Sequence, residues 1–140
     1  MISPLKKGNI LRERYTIRRV IGQGGMGCIY LADDLRLEGR QCAVKEVEHD
    51  RTLPKNLLKE ARDQFQREAT VLARLDHPNL PKVSDYFSIE NSDYLVMDFV
   101  PGEDLRTLML KQREKNQFIP EKDVLNWAFQ LADALEYMHN

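Results

Sequence analysis

Short apolar runs predict five β-strands in the first hundred residues of this chain. The first run alternates with polar residues, and the others are compact and rich in β-branched or aromatic residues. The last two are separated only by the polar stretch 90–93, which predicts a hairpin. The predicted strands are Tyr15–Ile21, Cys28–Ala32, Gln41–Val47, Val83–Phe87 and Tyr94–Val100.

Three further segments have the composition of helices. Leu57–Leu75 is rich in Ala, Leu, Gln, Glu and Arg, and Pro78 follows shortly after it. Beyond Pro101 and Gly102, helices are predicted from Glu103 to about Arg113 and from Pro120 to the end, where a proline and acidic residues begin the last helix. The resulting order is βββ-α-ββ-α-α, an α+β chain without a repeat or a linker.

Composition excludes several classes of protein. The chain has 140 residues, 42% of them hydrophobic and 31% charged, which is typical of a globular domain. Its formal net charge of -1 gives no global field that would attract nucleic acid or an anionic membrane. No apolar segment approaches the roughly 20 residues of a membrane-spanning helix, and no signal peptide is recognisable, so we expect a cytoplasmic protein.

The two cysteines, Cys28 and Cys42, are too few for a disulfide framework or a zinc site. With Ile29 placed opposite Ala43 in the predicted sheet, the two cysteines are diagonal neighbours about 7–8 Å apart at Cα. A disulfide needs closer Cα atoms. We therefore expect two free, buried thiols and no metal site.

The glycine cluster Gly22-x-Gly24-x-x-Gly27, which also contains Gly25, has three possible interpretations. It is a structural turn, a dinucleotide fingerprint, or a glycine-rich loop over ATP phosphates. The dinucleotide fold requires a helix directly after the glycines and an acid about 20 residues on. The β-favouring residues that follow Gly27 make this fold the weaker interpretation.

Two charged residues lie at positions that look buried. Lys45 lies in the apolar third strand, where it either extends to solvent from a strand edge or has an acidic partner. Glu68 lies in an apolar stripe of the first helix that also contains Ala61, Phe65, Leu72 and Leu75. An ion pair between Lys45 and Glu68 would explain both positions.

These residues together resemble the first half of a protein kinase domain. The resemblance is carried by the glycine cluster with Ile29, by Ala43-Val44-Lys45, by Glu68, and by the segments His77–Leu80, Tyr94–Val100 and Gly102–Leu105. The amino-acid sequence of the glycine cluster is similar to that of bacterial serine/threonine kinases of the eukaryotic-like, Hanks-type family. The resemblance to a kinase domain implies an N-terminal extension (1–14), an N-lobe with a five-stranded antiparallel sheet and one main helix (15–97), a hinge (98–102) and a partial C-lobe (103–140).

The resemblance also implies roles for individual residues. Lys45 would hold the ATP phosphates, Glu68 would orient Lys45, and the backbone of Gly22, Gly24, Gly25 and Gly27 would cover the phosphates. The adenine pocket would be lined by Ile21, Ile29, Ala43 and the gatekeeper Met97, with backbone contacts from Asp98 and Val100. Asp104 is either a ribose-binding acid or a solvated acid at a helix start.

The catalytic loop and the Asp-Phe-Gly metal motif of the family do not occur in the 140 residues. The resemblance therefore implies the ATP-binding portion of a serine/threonine kinase whose parent phosphorylates protein substrates with ATP and Mg²⁺, and we expect the chain alone to be inactive. The alternatives are a non-catalytic nucleotide-binding or regulatory module and a dinucleotide-binding oxidoreductase.

The sequence of the last helix predicts an apolar surface that needs a packing partner. Its apolar residues form one stripe that must be buried against something: Val124, Ala128, Leu131, Leu135 and Met138, with Trp127 beside them. We expect segment 121–140 to pack against another copy of the chain, to fold back on the hinge, or to be poorly ordered, and the chain to self-associate.

Overall fold

The chain forms two compact units. The structure, a computed structural model, describes residues 3–25 and 27–140, so Met26 of the glycine cluster lies outside the described residues. The first unit comprises Met1–Asp76 and Pro81–Phe99, and the second comprises His77–Leu80 and Val100–Asn140.

A six-stranded antiparallel sheet forms most of the first unit. The strand order is β1-β2-β3-β4-β6-β5, and helix α1 (Lys55–Arg74) connects β4 to β5. The predicted antiparallel sheet with one main helix is confirmed, with one strand more than expected. The strands are β1 (Ile10–Leu11), β2 (Tyr15–Gly24), β3 (Gly27–Asp34), β4 (Gln41–Glu48), β5 (Val83–Ile89) and β6 (Ser92–Asp98).

The additional strand β1 lies in the segment expected to be an N-terminal extension. It pairs with the start of β2, Ile10 opposite Thr16 and Leu11 opposite Tyr15. The Gly8 amide also donates to the Ile17 carbonyl at 2.8 Å. A strand of two residues is too short for an alternating pattern, so the sequence gives no signal for it.

The main core lies on the inner face of the sheet, which curls on itself. Although β2 and β5 are far apart in the strand order, the Tyr15 hydroxyl donates to Asp85 at 2.6 Å, and the rings of Tyr15 and Phe87 stack with 5.9 Å between centroids. The core is aromatic and β-branched in composition: Leu11, Tyr15, Ile17, Cys28, Tyr30, Ala32, Cys42, Val44, Phe87, Tyr94 and Val96.

Helix α1 packs against β5 and β6 on the other face of the sheet. Ala69 is buried there with Val83 and Leu95, and Phe65 packs against the same cluster. The helix begins two residues before its predicted start and ends one residue before its predicted end.

The predicted register between β3 and β4 is wrong by two residues. Ile29 lies opposite Lys45, and Ala43 lies opposite Leu31. Register in a hairpin depends on its connection, and here the turn of residues 35–40, with Gly39 at φ 80°, sets it.

Both cysteines are nevertheless free and buried, as predicted. Cys28 lies opposite Glu46, four residues along β4 from Cys42, so the two cysteines are roughly 13 Å apart. Burial raises the pKa of Cys42 to about 11, which keeps its thiol protonated at neutral pH.

The second unit contains helices α2 (Leu105–Glu114) and α3 (Glu121–His139). Segment 77–80 is attached to α3, because His77 Nε2 lies 3.0 Å from Asp133 and the Asn79 amide donates to the Gln130 carbonyl at 3.2 Å. α3 is a regular helix whose apolar side chains are exposed, among them Val124, Leu125, Phe129, Leu131, Leu135 and Met138. Among the described residues, no helix is both long and apolar enough to cross a membrane.

Candidate functional site

A cavity of about 480 Å³ lies beneath the turn between β2 and β3. Its volume is in the range typical of small-molecule sites. The cavity is entirely within the first unit and is lined by glycines and by residues of β3 and β4: Gly22, Gln23, Gly24, Gly25, Gly27, Cys28, Ile29, Lys45, Glu46 and Val47. The structure thus brings the predicted glycines, Ile29 and Lys45 together.

The glycines leave the main chain of the turn accessible. A β-carbon added to Gly24 or Gly25 would meet no atom within 4 Å, so this backbone is open to a ligand. Gly27 begins β3, and the residues after it continue as a strand to Asp34. A dinucleotide fingerprint requires a helix there, so the oxidoreductase alternative is wrong.

Lys45 lies in the middle of β4, opposite Ile29 of β3 and Leu95 of β6. The sequence suggested a buried ammonium group, but the side chain is exposed. Lys45 and Leu95 share the face of the sheet on which α1 packs. The lysine is therefore the one cation among the described residues that line the cavity, and Glu46 is the one acid.

The expected ion pair between Lys45 and Glu68 is not formed. Neither residue takes part in an ion pair between the described residues. Glu68 is exposed and accepts a hydrogen bond from the Gln64 amide at 3.1 Å, within its own helix. The inner position of α1 is Ala69, one residue later than predicted, which turns Glu68 away from the buried seam. Because Lys45 and Glu68 are both exposed to water, neither charge is desolvated, and neither needs an ion-pair partner to remain charged.

Glu46 is a buried acid that the sequence analysis missed. The residue is 5% exposed, and its carboxylate accepts hydrogen bonds from the hydroxyls of Tyr30 at 2.7 Å, Tyr94 at 2.9 Å and Ser92 at 3.1 Å. Burial, and then the bond to Glu46, raise the pKa of both tyrosines. The network joins β3, β4 and β6 directly beside Lys45. Alternation along β4 places Glu46 on the inner face, which is the signal that could have found it.

All four of the predicted apolar adenine-pocket residues lie in strands of the same sheet. Ala43 pairs with Met97 of β6, and both lie on the face that carries Lys45. Ala43 is buried, whereas Met97, Ile21 and Ile29 are half-buried. Met97 also packs against the cluster around Ala69 and Leu95, so it is part of the hydrophobic core.

The remaining predicted contacts are at the end of β6 and beyond. Asp98 ends β6, and its carboxylate accepts a hydrogen bond from the Lys82 amide at 3.0 Å. Val100 and Asp104 belong to the second unit. Asp104 caps α2 by accepting from the Thr107 amide at 2.7 Å, and this bond lowers the pKa of its carboxyl. The capping contact is the helix-start role that the sequence left open for Asp104.

The glycine-rich turn and the strand lysine around one cavity are features that the resemblance to protein kinases predicts, and a comparison with known families agrees with them. Residues 15–140 match the family model of the protein kinase domain. The chain belongs to the protein kinase family. It is 33% identical over 137 residues to serine/threonine-protein kinase B of Synechocystis sp. PCC 6803, covering 95% of this chain and 23% of that protein. It is 32% identical over 138 residues to the probable serine/threonine-protein kinase YbdM of Bacillus subtilis, covering 98% of this chain and 50% of that protein.

Solved kinase domains share the fold. The PknI kinase domain of Mycobacterium tuberculosis superimposes with a TM-score of 0.74 at 29% identity, covering 98% of this chain and 53% of that structure. The chain thus resembles bacterial serine/threonine kinases and corresponds to about half of a kinase domain.

Proposed function

We propose that this chain is the ATP-binding part of a protein kinase that transfers the γ-phosphate of ATP to serine or threonine hydroxyls. The observation that supports this most strongly is the cavity of about 480 Å³ that the glycine turn shares with Lys45. The named relatives support the choice of reaction. The activity of the whole protein is part of the proposal, since the chain spans only half or less of these relatives.

The residues around the cavity fit a polyphosphate. The main chain at Gly24 and Gly25 is unobstructed, and Lys45 supplies a cation in the lining of the same cavity. Protein kinases use ATP with Mg²⁺, and bound ATP supplies the phosphoryl group to be transferred. In this proposal the glycine backbone covers the phosphates, and Lys45 holds the α- and β-phosphates and offsets their charge.

The adenine and ribose contacts are proposals on family grounds. Ile21, Ile29, Ala43 and Met97 supply apolar surface for the base, and the backbones of Asp98 and Val100 supply hydrogen bonds to its edge. Asp104 would bind the ribose in addition to capping α2.

The absence of an ion pair between Lys45 and Glu68 suggests how phosphotransfer is regulated. Kinases require the corresponding ion pair for phosphotransfer, and the position of the helix controls it. We propose that α1 turns Glu68 toward Lys45 in the active protein. The same observation favours a second candidate function, a nucleotide-binding module that does not catalyse phosphotransfer.

A phosphotransfer assay on the protein that carries this chain tests both candidates. With radiolabelled ATP and a generic protein substrate, Lys45→Met should reduce the rate at least a hundredfold, because phosphate positioning and charge stabilisation are lost together. Glu68→Gln should also reduce the rate. The matched variants Lys59→Met and Glu60→Gln, at exposed positions of α1, should retain full rate. Nucleotide binding without phosphotransfer would favour the second candidate, and neither binding nor transfer would refute both.

We also propose that the protein acts in the cytoplasm and that the chain alone self-associates through α3. The support for self-association is the exposed apolar side of that helix, including Phe129 and Leu131. Sedimentation velocity at tens of micromolar should detect a dimer that Phe129→Ser weakens. A monomer at that concentration would refute this part.

A further inference from the structure

Three arginines line a small polar cavity at one end of the sheet. Two of them lie between β1 and β2, and the third lies in the turn between β3 and β4. The cavity has a volume of about 220 Å³ and is lined by Arg12, Arg14, Arg36 and Asp85. None of these residues lines the cavity beneath the glycine turn. The function proposed above leaves the arginine cavity without a role.

Two of the three arginines make side-chain contacts that position them, and the third lies in a turn that is hydrogen-bonded to theirs. Arg14 binds the buried Asp34 through two hydrogen bonds of 2.9 Å each. The guanidinium of Arg12 lies 5.3 Å from the centre of the Phe87 ring, a cation–π contact. The Leu35 amide donates to the Arg14 carbonyl at 2.8 Å, which joins the turn that carries Arg12 and Arg14 to the turn that carries Arg36.

The charges around the cavity are not balanced by the protein. Asp34 neutralises Arg14, and Asp85 already accepts hydrogen bonds from the Tyr15 hydroxyl at 2.6 Å and the Tyr86 amide at 2.8 Å. Arg12 and Arg36 take part in no ion pair between the described residues. Two guanidinium groups without a carboxylate partner therefore face a cavity that contains one carboxylate.

Arginine is suited to binding phosphate. Its planar donors bind two oxygens at once, and hydrogen bonds between charged partners are about twice as strong as neutral ones. With Asp85 counted, the two unpaired guanidinium groups leave one net positive charge at the cavity, which attracts an anion. The several oxygens of a phosphoryl group can accept hydrogen bonds from both guanidinium groups at once, whereas a carboxylate has only two oxygens.

We propose that Arg12, Arg14 and Arg36 form a binding site for a phosphate group, either inorganic phosphate or the phosphoryl group of a phosphorylated serine or threonine side chain. The two turns position the arginines, and Asp85 bounds the site on the side of β5. This site is independent of ATP binding at Lys45.

Titration of the isotopically labelled chain with potassium phosphate at constant ionic strength tests the proposal. NMR signals of residues 12–14 and 35–37 should shift saturably, while potassium chloride alone should not shift them. Arg12→Gln and Arg36→Gln should each weaken phosphate binding roughly tenfold. Arg67→Gln removes the same charge from an exposed position on α1 and should have no effect.

The source of the phosphate is distinguished by a second ligand. A short phosphothreonine peptide that binds more tightly than inorganic phosphate, while its unphosphorylated form does not bind, indicates a phosphoprotein partner. Tighter binding of inorganic phosphate indicates the free ion. If Arg12→Gln does not fold, the phosphate affinity of Arg36→Gln alone tests whether the arginines form the site.

Three outcomes overturn the proposal: no saturable shift, an equal shift in the wild type and both arginine variants, or a concentration-dependent dimer that covers these residues and is unaffected by phosphate.

Discussion

Gly27 packs against the main-chain carbonyl of Glu46, so closely that an added β-carbon would lie 1.8 Å from the oxygen. This contact joins the first residue of β3 to β4 beside Lys45. The last glycine of the cluster is thus required by packing between strands, whereas Gly24 and Gly25 have open space around them.

Gly27→Ala should destabilise the chain, whereas Gly24→Ala should not. The new methyl group at residue 27 has to displace backbone, and overpacking of this kind typically costs about 1–3 kcal/mol. Urea unfolding of the two variants measures the difference in the free energy of unfolding. Equal stability of both variants would show that β3 and β4 are not in this contact.

Glu46→Ala should be strongly destabilising, by about 3 kcal/mol. The substitution leaves the buried hydroxyls of Tyr30 and Tyr94 without their acceptor, and each unsatisfied group costs about 1–3 kcal/mol. Glu48→Ala on the same strand is the control. Glu48 is only partly buried and its ion-pair contact with Arg51 is 3.8 Å long, so its loss should cost less than about 1 kcal/mol. Similar losses in both variants would contradict the buried network.

Asp34 should contribute a pH-dependent part of the stability. Its side chain is 2% exposed, and the hydrogen bonds from Arg14 hold the pKa of its carboxyl below the ordinary value of 3.8. Because the folded pKa is the lower one, this stabilisation is complete above about pH 4 and is lost as the pH falls through the folded value.

The measurement compares Asp34→Asn with the wild type by urea unfolding at several pH values. We expect a deficit of about 2 kcal/mol at pH 7 that narrows below pH 4. Asp33→Asn should show a much smaller deficit, because the partner of Asp33 is the exposed Arg18. A deficit for Asp34→Asn that is unchanged at pH 3 would show that the ion pair is not its cause.

Strong local patterns predicted most of the fold. The strand runs, the long helix α1 and the glycine cluster with Lys45 each have a signal within a few residues, and the structure places them accordingly. β1 could not be predicted, since its two residues pair through main-chain hydrogen bonds that involve no side-chain pattern.

The errors at the site concern orientation. The apolar stripe was read at spacings of four, three, four and three residues, which placed Glu68 inward. In the structure the position after Phe65 on the buried side is Ala69, four residues on, and because a helix turns 100° per residue this one-residue difference turns Glu68 outward. The alternation of β4 was sufficient to place Glu46 inward, but its partners Tyr30, Ser92 and Tyr94 come from β3 and β6 and depend on register, which the sequence did not determine.

Covalent labelling with an acyl-phosphate derivative of ATP tests the central claim most directly. Such a probe transfers its acyl group to a lysine that lies beside the bound phosphates, and mass spectrometry identifies that lysine. We predict that Lys45 is labelled at low probe concentration, that excess ATP suppresses the labelling, and that exposed Lys59 is labelled only weakly and without ATP protection. Labelling of Lys45 that is no stronger than that of Lys59, or that ATP does not suppress, would contradict an ATP site beneath the glycine turn.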